Sequence, residues 1–144
     1  MNNAIYESDR LAWATSQAKL LRSGQLDILD IDHLAEELES IMGNERRELY
    51  KRLRVLIGHL LKWKYQPENR SKSWEGTIRV QRKDLARLFK ESPSLRRFLP
   101  EETRDAYADA VELACLETGI SESEFPESCP FSEAEMLEKE FWPD

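Results

Sequence analysis

Apolar residues recur at helical spacing along most of the chain. They return every three or four positions in five successive stretches, and no period-two pattern typical of a strand survives. This pattern predicts an all-α protein, a single-domain helical bundle of about five to seven helices over residues 1–144. The helical faces contain Tyr6, Trp13 and Leu20; Ile31, Leu34, Ala35, Leu38, Ile41 and Met42; Leu49, Leu53, Leu56, Ile57, Leu60 and Trp63; Trp74, Ile78, Gln81, Leu85, Leu88 and Phe89; and Thr103, Tyr107, Ala110, Val111 and Ala114.

Several positions carry signals that start a helix. Asp30 can act as an N-cap, and Leu29 and Leu34 flank it as a hydrophobic staple. Ser71 or Ser73 can cap the segment that follows the proline-containing connection. Further start signals are Ser92 before Pro93, Pro100 after Leu99, and two Ser-x-x-Glu capping boxes at residues 121–124 and 132–135.

Glycine and proline mark the predicted helix ends. Gly24 and Gly119 suit the left-handed position just past a helix C-terminus. Pro67 closes the third stretch, because the residue before a proline leaves helical space. Gly43 separates two stretches whose helical phase nearly matches, so we expect a break or kink near Gly43, with one continuous helix as the alternative.

The charges are unevenly distributed along the chain. Residues 44–97 contain 16 of the 21 Lys and Arg residues beside six Asp and Glu residues, which gives +10. The remainder holds five basic and 22 acidic residues, which gives −17, and the whole chain carries −7. A basic middle between acidic flanks either neutralises itself on folding or offers surfaces of opposite sign to partners. We favour neutralisation by acidic neighbours within the fold.

Length and composition are typical of a soluble globular protein. The 144 residues suffice for one core, and four Trp, five Phe and four Tyr argue against disorder. The first residues show no leader pattern, and Val55–Ile57 is too short to span a bilayer, so we expect a cytoplasmic protein without membrane contact. Cys115 and Cys129 are expected to be reduced. Phe141 and Trp142 are expected to dock on the bundle, since large aromatics rarely stay on a surface.

The two histidines are candidates for chemistry. His33 lies one turn before Glu37, and the two could share a metal ligand, but a surface histidine beside a solvated acidic face is more common, so we expect no metal. His59 lies at the edge of its apolar face, near Lys62 and Trp63. A histidine beside cations and aromatics can bind an anion or move a proton, whereas a boundary histidine more often packs its ring and satisfies one hydrogen bond.

Nucleophilic catalysis and cofactor binding find little support in the sequence. Cys115 lies near an apolar face, where a buried thiol is inert, and acids near Cys129 would raise the pKa of its thiol. The chain has neither a Walker pattern nor a G-x-G-x-x-G motif. The sequence therefore predicts no cofactor.

Nucleic-acid binding is an alternative that the basic middle suggests. A positive ridge could track a phosphate backbone while Trp74 or Tyr65 stacks on a base. The cations of this ridge are Arg79, Arg82, Lys83, Arg87 and Lys90. The net charge of −7 argues against it, because nucleic-acid-binding domains usually carry a basic balance.

A set of short motifs resembles a known family. They are Leu34-Ala35-Glu36-Glu37-Leu38-Glu39, His59-Leu60-Leu61-Lys62-Trp63, Tyr65-Gln66-Pro67, Arg70-Ser71, Ser73-Trp74, Gln81-Arg82, Ser92-Pro93-Ser94-Leu95, Glu117-Thr118-Gly119, Phe125-Pro126, Cys129-Pro130 and Phe141-Trp142-Pro143. In this order, over nearly the whole chain, they resemble the bacterial domain of unknown function 29 family. The resemblance implies a compact helical domain in the bacterial cytoplasm, and it brings no activity, ligand or catalytic residue. His33 is not part of the motifs, which weakens the metal interpretation further.

The polar residues of these motifs form the candidate site. They are Glu37, His59, Arg70, Ser73, Trp74, Gln81, Arg82 and Glu117. We expect several of them to meet near the Pro67 connection, with Arg70 and Arg82 paired to Glu37 or Glu117. Such a network could fix helix register, or it could bind a small anion or an acidic peptide group through a guanidinium. We favour the structural role.

The leading functional hypothesis is a non-enzymatic protein-interaction or regulatory module with a protein partner. No complete catalytic set is present, and surfaces of opposite charge are available for association. One alternative is a small-anion-binding protein or enzyme that uses His59, Arg70 and Glu37. A second is nucleic-acid binding through residues 44–97.

Overall fold

All regular secondary structure is helical over the residues that the structure describes. The computed structural model describes the backbone of residues 2–144 and the side chains of residues 5–144. The predicted all-α class is confirmed, and no strand occurs in this range. The helices are α1 (Asn2–Ser8), α2 (Arg10–Arg22), α3 (Ile31–Tyr65), α4 (Lys72–Glu91), α5 (Leu99–Thr118) and α6 (Glu133–Leu137), with 3-10 turns at Leu26–Ile28, Pro67–Asn69, Pro93–Phe98 and Glu122–Glu124.

Internal contacts group the chain into two compact units, residues 1–44 and 45–144. The expected single domain over residues 1–144 stays a prediction. None of the helices between residues 2 and 144 is long and apolar enough to cross a membrane.

The N-terminal unit is a small arrangement of α1, α2 and the first part of α3. Asp9 caps α2 by accepting a hydrogen bond from the backbone N–H of Ala12. Gly24 follows the end of α2 with a φ of 74°, as predicted. Tyr6 and Trp13 are buried and pack edge to face, with ring centroids 4.8 Å apart. Among the described side chains of the N-terminal unit, Tyr6 and Trp13 are the buried apolar residues.

Helix α3 is continuous across Gly43, so the expected break near that residue is wrong. A single glycine in a helix costs only about 1 kcal/mol relative to alanine, and the apolar faces on its two sides are nearly in phase. One helix can therefore carry both faces without an interruption. Residues 31–44 of α3 belong to the N-terminal unit, and residues 45–65 belong to the C-terminal unit.

The C-terminal unit contains the main hydrophobic core. Its fully buried residues come from α3, α4, α5 and α6, as their apolar periodicity predicts. They include Leu49, Leu53, Leu56, Ile57, Leu60, Leu61, Ile78, Leu85, Ala106, Ala110, Ala114 and Met136. Phe141 and Trp142 pack against this core, so the predicted docking of the aromatic pair is confirmed.

Local signals explain most helix ends in the C-terminal unit. Ser71, rather than Ser73, caps α4 by accepting from the N–H of Trp74 at 3.1 Å. Gly119 ends α5 with a φ of 78°. The capping box at Ser132 forms and starts α6. The box predicted at Ser121 does not form, because Pro126 follows too closely for a helix and only the 3-10 turn Glu122–Glu124 is present.

Candidate functional site

Three of the predicted site residues surround the ammonium group of Lys62, and they are His59, Trp74 and Glu117. The side chain of Lys62 is only 4% exposed, and its Nζ forms an ion pair with Glu117 of α5. The same Nζ lies 3.5 Å from Nε2 of His59 and 4.9 Å from the centre of the Trp74 ring. Lys62 therefore joins α3 to α4 and α5. Sequence reasoning placed it only beside His59, although its spacing of three residues already put both on one helical face.

His59 is held in a neutral form with both ring nitrogens engaged. Its Nδ1 lies 2.9 Å from the carbonyl oxygen of Val55, which can only accept, so Nδ1 carries the proton. Nε2 then presents its lone pair to the ammonium of Lys62. Burial lowers the pKa of His59 and the charge of Lys62 lowers it further, although the hydrogen bond to Val55 opposes the shift. This arrangement leaves no ring nitrogen for a substrate and favours a structural role.

Arg82 binds residues 135–143, which we call the C-terminal segment, to α4. The residue is 4% exposed, and burial lowers the pKa of its guanidinium. Its Nε, Nη2 and Nη1 donate to the carbonyl oxygens of Met136, Glu135 and Phe141 at 2.8, 3.0 and 2.7 Å. The expected ion pair with Glu117 is wrong for Arg82, because backbone carbonyls occupy the guanidinium.

Arg70, which follows the 3-10 turn Pro67–Asn69, also binds backbone carbonyl oxygens. Its Nε donates to the carbonyl oxygen of Trp63 at 2.8 Å, and its Nη2 donates to the carbonyl oxygen of Pro143 at 3.2 Å. The expected pairing of Arg70 with Glu117 is also wrong, since Lys62 takes that carboxylate. Arg70 thus ties the last residues of the chain to the end of α3.

The ring of Trp142 contacts an aromatic side chain and two guanidinium groups. Its ring lies 4.7 Å from the ring of Trp63. The guanidinium carbons of Arg79 and Arg82 lie 5.2 and 5.6 Å from its centroid, within the range of cation–π attraction. The aromatic pair Phe141–Trp142 therefore docks through its ring and through the carbonyl that Arg82 binds.

The remaining predicted site residues of α4 are peripheral. Ser73 is exposed and does not cap the helix. Gln81 is partly buried, and its Oε1 accepts a long hydrogen bond from Nη1 of Arg52 at 3.5 Å. Neither residue contributes to the arrangement around Lys62.

Glu37 belongs to the N-terminal unit, where it binds two partners. Its Oε1 accepts from the hydroxyl of Tyr6 at 2.6 Å and from Nη1 of Arg10 at 2.7 Å. The hydrogen bond to Glu37 raises the pKa of Tyr6. The carboxylate serves to hold α1 and α2 against α3.

His33 is engaged by Asp30 rather than by Glu37. Its Nδ1 lies 2.7 Å from Oδ2 of Asp30, and its ring stacks on Tyr6 with centroids 3.8 Å apart. Nε1 of Trp13 donates to the same Asp30 oxygen at 2.9 Å. Burial alone would raise the pKa of Asp30, but the hydrogen bonds from His33 and Trp13 lower it overall. In the described part of the chain, no three His, Cys, Asp or Glu side chains are grouped as metal ligands would be.

Both cysteines are free thiols with raised pKa values. Burial raises the pKa of Cys115 and of Cys129, and nearby carboxylates add to the effect in both cases. The Cys129 thiol also donates to the carbonyl oxygen of Phe131 at 3.6 Å. Neither environment activates a nucleophile.

Acidic neighbours neutralise part of the basic stretch. Arg46 pairs with Glu102 at 2.7 Å, and Lys62 pairs with Glu117, so α5 supplies both carboxylates. Other pairs lie within the stretch itself: Arg52 with Glu48 and Asp84, Arg79 with Glu75, and Arg87 with Asp84. Five cations of residues 44–97 are therefore paired with acids of α5 or of their own stretch, and they are Arg46, Arg52, Lys62, Arg79 and Arg87.

The apolar face of α3 in the N-terminal unit is exposed, which sequence reasoning did not anticipate. Eleven large apolar residues are exposed among the described side chains, and nine of them belong to residues 5–44. On α3, Ile31, Leu38, Ile41 and Met42 are between 57% and 66% exposed. With Ala35, which is also exposed, they form what we call the α3 apolar face.

Comparison with known protein families gives a match over most of the chain. The family model described as Domain of unknown function DUF29 matches residues 5–142. No curated protein and no solved structure matches the chain.

Proposed function

We propose that this chain, which belongs to the family described as Domain of unknown function DUF29, acts as a non-enzymatic protein-interaction module. The observation that carries the proposal is the α3 apolar face. Exposed apolar residues scattered singly are normal on a soluble protein, whereas a continuous row on one helix is typical of a docking surface.

The spacing within the α3 apolar face suits a partner helix. Ile31, Ala35, Leu38 and Met42 follow one another at intervals of four, three and four residues, the spacing of a helix–helix seam. Such a row accepts the apolar stripe of another amphipathic helix. The partner element is therefore a helix with apolar residues at the same period.

The charges beside the α3 apolar face define the flanks of that partner. Asp32, Glu36 and Glu39 are exposed and lie along one side of the row. Residues 1–44 hold three Lys and Arg residues against eight Asp and Glu residues. A second copy would bring the same negative charge to the interface, whereas a helix flanked by Lys or Arg would bring the opposite one. We therefore assign the face to a partner helix with basic flanks.

A pair of synthetic peptides tests this assignment. One is a helix with Leu at the seam positions and Lys beside them, and the other carries Glu in place of Lys. We expect the Lys peptide to bind at least tenfold more tightly than the Glu peptide, and its affinity to fall as salt is raised. Leu38→Glu should abolish this preference, with an unchanged melting temperature because the side chain is exposed.

Leu116→Glu is the matched control, since Leu116 is an exposed leucine of α5, outside the N-terminal unit. It should bind the Lys peptide like the unmodified protein. The proposal would be overturned if the Lys and Glu peptides bound with equal affinity. It would also be overturned if Leu38→Glu and Leu116→Glu lost the same affinity for the Lys peptide. A dimer in sedimentation that Leu38→Glu converts to a monomer would overturn it too, because the face would then belong to a second copy.

Nucleic-acid binding through residues 44–97 is the weaker alternative. Within the described structure, Arg79 and Arg87 pair with carboxylates of α4, Arg82 is buried, and the Trp74 ring faces Lys62. These contacts reduce both the free charge and the free aromatic surface that a nucleic acid needs.

A further inference from the structure

A groove between α4 and the C-terminal segment carries cations that the proposed function does not use. Its volume is about 500 Å³. Its lining combines four cations with a small apolar floor, and these residues are Arg79, Arg82, Lys83, Lys139, Ala86 and Leu137. Cavities of about 300–1,000 Å³ hold small molecules.

The wall opposite α4 is fixed in place by Arg82. Because its guanidinium binds the carbonyl oxygens of Glu135, Met136 and Phe141, the segment that carries Leu137 and Lys139 is held beside α4. Arg79 is also positioned, since its Nη2 lies 2.9 Å from Glu75 and its guanidinium lies over the Trp142 ring. The groove therefore exists before a ligand arrives.

The charge of the groove is predominantly positive. Lys83 and Lys139 are exposed, and neither forms an ion pair with a carboxylate of the described residues. Glu138 is the single acid in the lining, and its Oε1 accepts a hydrogen bond from the N–H of Glu140 at 3.1 Å. Two unpaired ammonium groups beside an apolar floor are suited to an anionic head group on an apolar body.

We propose that this groove binds a small organic anion, with its phosphate or carboxylate between Lys83 and Lys139 and its apolar part against Ala86 and Leu137. Arg79 also lines the groove, but Glu75 balances its charge. The site differs from the cluster of His59, Arg70 and Glu37 that the sequence suggested for an anion. It is also independent of the α3 apolar face, so either proposal can fail without the other.

Calorimetric titration with 1-naphthyl phosphate tests the site. We expect one molecule to bind per chain, and 1-naphthol and inorganic phosphate each to bind at least tenfold more weakly, because each offers only half of the recognised features. Lys83→Ala and Lys139→Ala should each weaken binding about three- to tenfold, as expected for the loss of one solvent-exposed contact. Glu138→Gln should strengthen it, since it removes the single negative charge of the lining.

Lys90→Ala is the control for net charge, because Lys90 is an exposed lysine of α4 outside the lining. It should leave the affinity unchanged. Equal losses in Lys90→Ala and Lys83→Ala would show diffuse attraction to a basic surface and overturn the proposal. Unchanged binding in both Lys83→Ala and Lys139→Ala, or equal binding of 1-naphthol, would overturn it as well.

Discussion

Arg82 donates from Nε to the carbonyl oxygen of Met136 at 2.8 Å, a buried hydrogen bond between residues 54 positions apart. Two more carbonyls of the same segment occupy the other nitrogens of the guanidinium. A planar group with fixed donor directions can bind three such acceptors, whereas a lysine ammonium lacks that geometry. The contact makes α4 and the C-terminal segment one structural unit within residues 45–144.

Arg82→Met should destabilise the protein by about 3–5 kcal/mol, because three charge-assisted hydrogen bonds are lost and their acceptors are left without partners. Guanidinium chloride titration followed by tryptophan fluorescence measures this loss. Lys83→Ala, on the next residue and exposed, should change the free energy of unfolding by less than about 0.5 kcal/mol. A loss below about 1 kcal/mol for Arg82→Met would contradict the anchoring role.

The stability of the protein should fall as the pH drops below the ordinary histidine pKa of 6.5. Burial lowers the pKa of His59 in the folded state, so between the folded and unfolded values only the unfolded chain binds the proton. The stability that neutral His59 contributes is complete above pH 6.5, and it is lost as the pH falls from 6.5 through the pKa of His59 in the folded state. The free energy of unfolding, measured between pH 7.5 and 5, should vary less with pH in His59→Gln. An equally steep pH dependence in this variant would exclude His59 as the cause.

Gly58→Ala and Gly119→Ala should have opposite effects. At Gly58, inside α3, a Cβ would lie 3.5 Å from Cδ2 of Leu113, an ordinary contact, so alanine should stabilise the helix by about 0.5–1 kcal/mol. At Gly119 nothing lies within 4 Å of a Cβ, but the φ of 78° is strained for alanine, which should cost about 1 kcal/mol. Thermal denaturation of the two variants measures both effects, and a shift of the same sign in both would contradict the explanation.

Thr103→Val should be neutral or stabilise the protein by up to about 1 kcal/mol. The Thr103 hydroxyl is buried and has no hydrogen-bond partner among the described residues, so valine removes an unsatisfied polar atom at nearly constant volume. Thr118→Val is the matched substitution in the same helix, where the hydroxyl donates to the Ala114 carbonyl and accepts from the Ile120 N–H. It should destabilise by about 1 kcal/mol. Urea denaturation should give a higher free energy of unfolding for Thr103→Val than for Thr118→Val. The reverse order would contradict the conclusion that the Thr103 hydroxyl is unsatisfied.

Periodicity predicted the helices well, but it could not predict what covers each face. The faces that contain Leu53 and Leu85 became core because other helices of residues 45–144 pack on them. The face that contains Leu38 has the same period and stays exposed. A hydrophobic period reports that a helix is amphipathic, whereas burial depends on neighbours from distant parts of the chain.

The site was predicted less completely because its main acceptors are backbone atoms. Every residue carries a carbonyl, so nothing in the sequence marks Met136 or Pro143 as the partner of an arginine. The grouping of His59 with Lys62 was accessible, since both lie on one face of α3. The sequence predicted an arginine partner for Glu117, but the carboxylate of Glu117 forms its ion pair with Lys62 of α3.

The attachment by Arg82 has a consequence for synthesis on the ribosome. At about 5–20 residues per second, roughly 3–10 s pass between the translation of Arg82 and that of Met136, its acceptor 54 positions later. For an interval of that length, α4 exists without the segment whose carbonyl oxygens bind the guanidinium of Arg82. The nascent chain therefore carries an arginine without its acceptors, and an open side of its core, until Met136 has been made; a chaperone that covers apolar surface would act in this interval.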